Sequence, residues 1–147
     1  MALLNKKALA LAILIALAQP VAAQTESSET SLSAFDVSAN MTVASQYRFR
    51  GLMQSNNKPA IQGGFDISHS SGFYIGNWNS NISWLGDADP NVSAPVEMDF
   101  YAGYSAPIYG DWTIDTGVLQ YYYPGDYPDG FTSPDTTELY LGFGYGP

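Results

Sequence analysis

From residue 36 onward, apolar side chains recur at every second position, the period of a strand with two different environments on its two faces. Six strands are predicted. The first, 36–50, sets Val37, Ala39, Met41, Val43, Tyr47 and Phe49 against Ser38, Asn40, Thr42, Gln46, Arg48 and Arg50. In the second, 60–69, Ile61, Phe65 and Ile67 oppose Gln62, Asp66 and Ser68. The third, 73–84, places Tyr74, Trp78, Ile82 and Trp84 in the apolar phase against Asn77, Asn79, Asn81 and Ser83, with Phe73 and Ile75 breaking the alternation. The fourth, 96–106, alternates Val96, Met98, Phe100, Ala102 and Tyr104 with Glu97, Asp99, Tyr101, Gly103 and Ser105. The fifth, 112–123, and the sixth, 137–146, continue the pattern through Trp112, Ile114, Val118, Tyr122, Leu139, Leu141, Phe143 and Tyr145.

The charged residues inside these strands are Arg48, Arg50, Asp66, Glu97, Asp99, Asp115 and Glu138, and all fall on the polar phase. A charge on the lipid face near mid-bilayer costs roughly 2–4 kcal/mol, so a membrane barrel requires this segregation. A soluble amphipathic sheet shows it as well. The connections separate the two cases better. Those at 51–59, 85–95 and 124–136 are long and polar, whereas 70–72 and 107–111 are short. Long and short alternate, as they do where one end of a barrel carries tight periplasmic turns and the other external loops. With the amino end on the periplasmic side, Tyr47, Phe49, Trp84 and Tyr122 lie at the outer end of the apolar phase, and Tyr74, Tyr104, Trp112 and Tyr145 at the inner end. Two aromatic belts at two interfaces are a barrel's girdles; the competing arrangement packs them as the core of a β-sandwich. The expected fold is all-β, an antiparallel up-and-down meander of about six strands forming the N-terminal part of a transmembrane β-barrel.

Residues 1–23 read as a cleavable secretory signal peptide: Lys6 and Lys7 precede an apolar run at 8–18, and Val21-Ala22-Ala23 supplies the small residues before the cut. That run is shorter than the roughly 20 residues of a spanning helix. A polar leader, 24–35, precedes the barrel segment, 36–147. The chain has 14 acidic and 5 basic residues, a formal charge of −9, and no Cys. Nucleic-acid binding by phosphate neutralisation is thereby disfavoured, and disulfides and thiolate metal sites are excluded.

The stretch VSANMTVASQYRFRGLMQSNNKPAIQGGFDISHSSGFYIGNWNSNISW resembles the opening of the TorF-type porins, a proteobacterial outer-membrane family. EMDFYAGYSAPI, GVLQYYYPG and TELYLGFGYG resemble its next landmarks, so the likeness runs over about 35–146. The resemblance implies an outer-membrane β-barrel that passes small solutes. Its expected partners are outer-membrane lipid and lipopolysaccharide, the barrel-assembly machinery during insertion, and the solutes themselves. Porins of this type continue with further strands and end on an aromatic residue, whereas this sequence ends in Gly146-Pro147; the expectation is a truncated product, with subunit pairing at the open edges as the alternative.

On the barrel reading the polar phase lines a lumen. Arg48, Arg50, Glu97, Asp99 and Glu138 come near the outer mouth, with Asp66 and Asp115 deeper. Rings of charge select ions in pores, and the acidic excess here favours cations or neutral polar solutes; charges merely solvated or paired for structure are the plain alternative. Tyr121, Tyr122, Tyr123 and Tyr127 flank a Pro-Gly-Asp turn and belong to girdle and loop packing, or to a ligand-stacking surface. That second option underlies the alternative function, a secreted or periplasmic ligand-binding β-protein. Asp87, Asp89 and Asn91 space oxygens as calcium loops do but lack the remaining ligands. His69 has no partners for a zinc site or a triad. Gly142, Gly144 and Gly146 lie on an alternating strand, without the helix a nucleotide fingerprint needs. An exported hydrolase using Glu97 and Asp99 is a remote third class. No catalytic residue, metal or cofactor is expected.

Overall fold

The structure, a computed structural model, describes residues 34–146. The expected signal peptide, 1–23, and nearly all of the expected leader, 24–35, lie outside the described residues. The chain forms β1 (Phe35–Ala44), β2 (Arg48–Phe49), β3 (Leu52–Met53), β4 (Ala60–His69), β5 (Phe73–Asn81), α1 (Trp84–Ala88), β6 (Val96–Tyr109), β7 (Trp112–Tyr122) and β8 (Thr136–Tyr145). The long strands make one six-stranded sheet in the order β1-β4-β5-β6-β7-β8, every neighbouring pair antiparallel. This is the expected all-β up-and-down meander. The sheet does not close, and β1 and β8 are its edges.

Both tight turns lie at one end of the sheet. The turn between β4 and β5 is possible because Gly72 adopts φ 103°, a conformation that L side chains resist, and because a Cβ there would run into the Ser105 carbonyl. The three long connections gather at the opposite end.

Antiparallel partners in register share a face, so the pairings sort the side chains. Ser38 lies opposite Asp66, Asp66 opposite Gly76 and Gly76 opposite Tyr101. Asp99 lies opposite Tyr121, and Leu119 opposite Glu138. These residues occupy the face that the loops cover, here called inward. The outward face carries Val37, Met41, Ile61, Phe65, Ile75, Phe100, Val118, Leu139, Leu141 and Phe143, all exposed. Leu139 is 86% and Met41 78% exposed. No residue with a permanent charge lies on that face within the long strands, whereas Glu97 on the inward face is 2% exposed. The sheet is inside out relative to a water-soluble one: its apolar side is bare, and its polar side is covered where the loops fold over it.

Two expectations need correction. The first strand does not run from 36 to 50; β1 ends at Ala44. Beyond it Arg50 and Gly51 turn the chain at φ 47° and 83°, and Arg48–Phe49 folds back on Leu52–Met53. The Tyr47 N–H donates to Ser55 Oγ at 2.8 Å and the Tyr47 carbonyl accepts from the Gln54 N–H at 2.9 Å, which pulls this segment over the sheet end. The third strand ends at Asn81, and its phase is opposite to the expected one. Phe73 and Ile75 set the outward phase, with Ile75 between Ile67 and Ala102, so Tyr74 and Trp78 point inward. Asn77 and Asn79 then lie on the outward side. Their amide nitrogens donate there: Asn77 Nδ2 to the Asp99 carbonyl at 3.0 Å, and Asn79 Nδ2 to the Gly63 carbonyl at 3.3 Å and to Asn77 Oδ1, while Asn79 Oδ1 is buried without a partner.

The buried apolar cluster sits in the loops, not between sheets. Ile82, Leu85, Val92 and Ala94 pack together against Tyr47, Trp84, Tyr123 and Tyr127. The Gln54 carbonyl accepts from Ser83 N–H at 2.8 Å and Trp84 N–H at 3.2 Å, tying the first long loop to the second. Ser93 and Asp126 exchange both backbone bonds, tying the second to the third. The loops therefore form one cap over the inward face.

Candidate functional site

The inward face divides into a deep layer and a mouth. In the deep layer, phenols hold the carboxylates. The Tyr101 hydroxyl donates to Asp66, and the Tyr74 hydroxyl meets both Asp115 and the Tyr140 hydroxyl. The rings need room against the wall, and glycines supply it: a Cβ at Gly103 would strike Tyr74 and Tyr140, and one at Gly117 would strike Tyr140. Tyrosine on one strand beside glycine on the next is how these flat polar rings lie along the sheet without crowding it.

The mouth is acidic. Glu97 and Asp99 stand two apart on the inward phase of β6, 2% and 9% exposed. Glu97 Oε1 accepts from the Tyr47 hydroxyl at 2.7 Å. Burial, and then the Glu97 carboxylate, push the Tyr47 hydroxyl far above the ordinary phenol range, so it remains a protonated donor. Burial and the same carboxylate raise Tyr123 likewise. Asp99 Oδ1 is buried and has no hydrogen-bond partner. Arg50 reaches over from the β2–β3 hairpin to Glu138 on β8, with Nη2 3.3 Å from Oε2, and its guanidinium lies 4.8 Å from the centre of the Phe49 ring. That ion pair, the only one among the described residues, is mostly exposed at 67% and 34%.

Of the expected lumenal residues, Asp66, Glu97, Asp99, Asp115 and Glu138 share the inward face, and Arg50 joins them from above. Arg48 does not lie on a wall strand. It is exposed on the hairpin and donates to Gln46 at 3.3 Å. Among the expected girdle residues, Tyr104, Trp112, Tyr122 and Tyr145 lie outward. Phe73 pairs with Tyr104 at 4.9 Å, Trp112 with Tyr145 at 5.0 Å, and Phe35 with His69 at 4.7 Å, all at the tight-turn end. The other four do not belong to an outward belt. Tyr74 lies in the deep inward layer. Tyr47 turns under the cap, its ring 5.5 Å from Trp78. Phe49 packs 5.9 Å from the buried Tyr121. Trp84 begins α1 and stands edge-on to Tyr123 at 5.9 Å. For Tyr47, Phe49 and Trp84 the loop end is occupied by the cap, which draws these rings in, whereas Tyr74 is inward because β5 has the opposite phase.

The Tyr-rich loop is also used internally. Tyr127 donates to the Tyr123 carbonyl at 2.6 Å and stacks on Phe131 at 5.4 Å. In the acidic loop, Asp87 accepts from Ser83 and Asp89 from Asn91, so both carboxylates serve local turns. No three His, Asp or Glu residues converge as a metal site among the described residues.

The fold and its face distribution define the class: an open antiparallel meander with an apolar outer side, a charged and tyrosine-lined inner side, and a loop cap at one end. The chain belongs to the family described as "Bacterial protein of unknown function (Gcw_chp)", whose family model matches residues 28–147. No curated protein and no solved structure matches the chain.

Proposed function

We propose that this chain forms part of the wall of an outer-membrane porin-like channel of the TorF type, through which small solutes diffuse passively. The observation that carries the reading is the inverted sheet, with a bare outward face dominated by large apolar side chains and every wall carboxylate turned inward. Soluble monomers rarely expose contiguous apolar surface beyond a few hundred Å², and lipid is the environment that suits such a face. Two further features agree with it: long and short connections on opposite ends, and paired outward aromatics at the tight-turn end. In hydrocarbon the free edges of β1 and β8 need pairing strands in addition to the six described.

Export through the amino-terminal signal and insertion by barrel-assembly machinery follow from this reading, with lipid and lipopolysaccharide around the outer face. The test is reconstitution. Protein extracted with detergent from an outer-membrane fraction should give stepwise conductance in planar bilayers. Recovery in the soluble periplasmic fraction, with no conductance, would refute the proposal.

A further inference from the structure

We propose that Glu97 and Asp99 form a saturable subsite for the ammonium group of an organic cation, closed over by the loop cap. This rests on the channel reading and names the solute class its mouth takes. Acidic residues alone would not support it; the decisive feature is Asp99. Its side chain is more than nine-tenths buried, and its Oδ1 has neither a donor nor solvent. The neighbouring Glu97 receives the Tyr47 hydroxyl, which satisfies an oxygen but leaves the charge. Of the three cations at this end, Arg50 is held by Glu138 and by the Phe49 ring, Arg48 is exposed on the hairpin and donates to Gln46, and Lys58 is exposed; none pairs with Glu97 or Asp99 among the described residues. A buried carboxylate without a counter-charge is costly by several kcal/mol, so the pair takes up either a proton or a cation.

The surroundings select the kind of cation. No third metal-ligating side chain converges with this pair among the described residues, which disfavours a divalent ion. Tyr47, Tyr121 and Tyr123 stand about the carboxylates instead, with Tyr121 opposite Asp99 and the Tyr123 hydroxyl beside Glu97. Hydroxyl-bearing side chains around a carboxylate pair suit an alkylammonium, whose three N–H donors meet the carboxylate and phenol oxygens. Glu97 and Asp99 belong to the wall, whereas Tyr47 and Tyr123 belong to loops. An entering ammonium therefore takes the place of the loop phenol at Glu97, and the cap must lift to admit it.

The experiment is calorimetric titration of the full detergent-extracted chain with propylammonium chloride, matched in ionic strength to potassium chloride and calcium chloride controls. Saturable binding of propylammonium alone is expected, weakened about tenfold or more in Asp99→Asn, as loss of a charged hydrogen-bond partner implies, and retained in Arg48→Ala. Absence of saturable heat in the unsubstituted protein would overturn the subsite and leave the pair holding only a proton; that result requires no variant to fold. Preferential calcium binding, or undiminished binding in Asp99→Asn, would also overturn it. The titration does not read conductance. Binding without conductance would sink the channel and keep the subsite, and conductance without binding would do the reverse.

Discussion

Replacing Val118 with Lys is the sharpest single perturbation of the outward face. Val118 lies in the middle of β7, outward, in a row with Ile67, Ile75, Ala102 and Leu139 across the sheet. It is already 37% exposed and supports no buried core. If water bathes this side, Val118→Lys is a surface change and should shift stability by less than about 0.5 kcal/mol. If hydrocarbon bathes it, a cation at this depth costs about 2–4 kcal/mol, or roughly 30- to 1000-fold in the folding equilibrium. Thr113→Lys, on the inward face of the same strand, is the control and should cost far less. Denaturant unfolding in lipid vesicles, followed by tryptophan fluorescence, measures both. Equal, small effects for the two variants would refute the assignment of faces.

Three further outcomes follow from the geometry. Tyr47→Phe removes the donor to Glu97 and should cost about 1.5–3 kcal/mol, the range for a bond to a charged group; an unchanged denaturation midpoint would contradict the contact. Tyr47 and Tyr123 hold their protons more tightly when folded than when unfolded. Their contribution is thus complete below the unfolded phenol value of about 10 and is lost as pH rises above it, so the midpoint should fall more between pH 9 and about 11.5 in the parent than in Tyr47→Phe. Gly72→Ala puts a methyl group against the Ser105 carbonyl at positive φ and should destabilise by more than about 1 kcal/mol; a neutral result in the same unfolding assay would contradict the turn geometry.

The meander was legible because alternation survives in five of the six predicted strands, and because glycine and proline mark the turns. The third strand misled because its most visible aromatics, Tyr74 and Trp78, are inward. Hydrophobicity assigns large rings to the apolar phase, but a tyrosine beside a cross-strand glycine can lie along a polar wall, as Tyr74 does over Gly103. That Tyr–Gly pairing was readable only with the register in hand. The first strand was drawn too long because Tyr47 and Phe49 keep the two-residue period through a segment that Arg50 and Gly51 fold back. The cap was invisible for a different reason. Its buried apolar residues Leu85, Val92 and Ala94 lie in one connection that reads as polar, Ile82 reads as the end of the third strand, and backbone bonds such as Ser93 to Asp126 join this connection to its neighbour. Of the site, the inward carboxylates were legible from phase alone, whereas the isolation of Asp99 beneath the loops was not.

The sequence contains no Cys, so single cysteines can be placed along β7 from 113 to 119 and spin-labelled in lipid vesicles. Collision rates with oxygen, which concentrates in hydrocarbon, and with a water-soluble nickel complex then report the medium at each position. The account predicts oxygen maxima at 114, 116 and 118 and nickel maxima at 113, 115 and 117. Nickel access at the even positions, or no alternation at all, would contradict it.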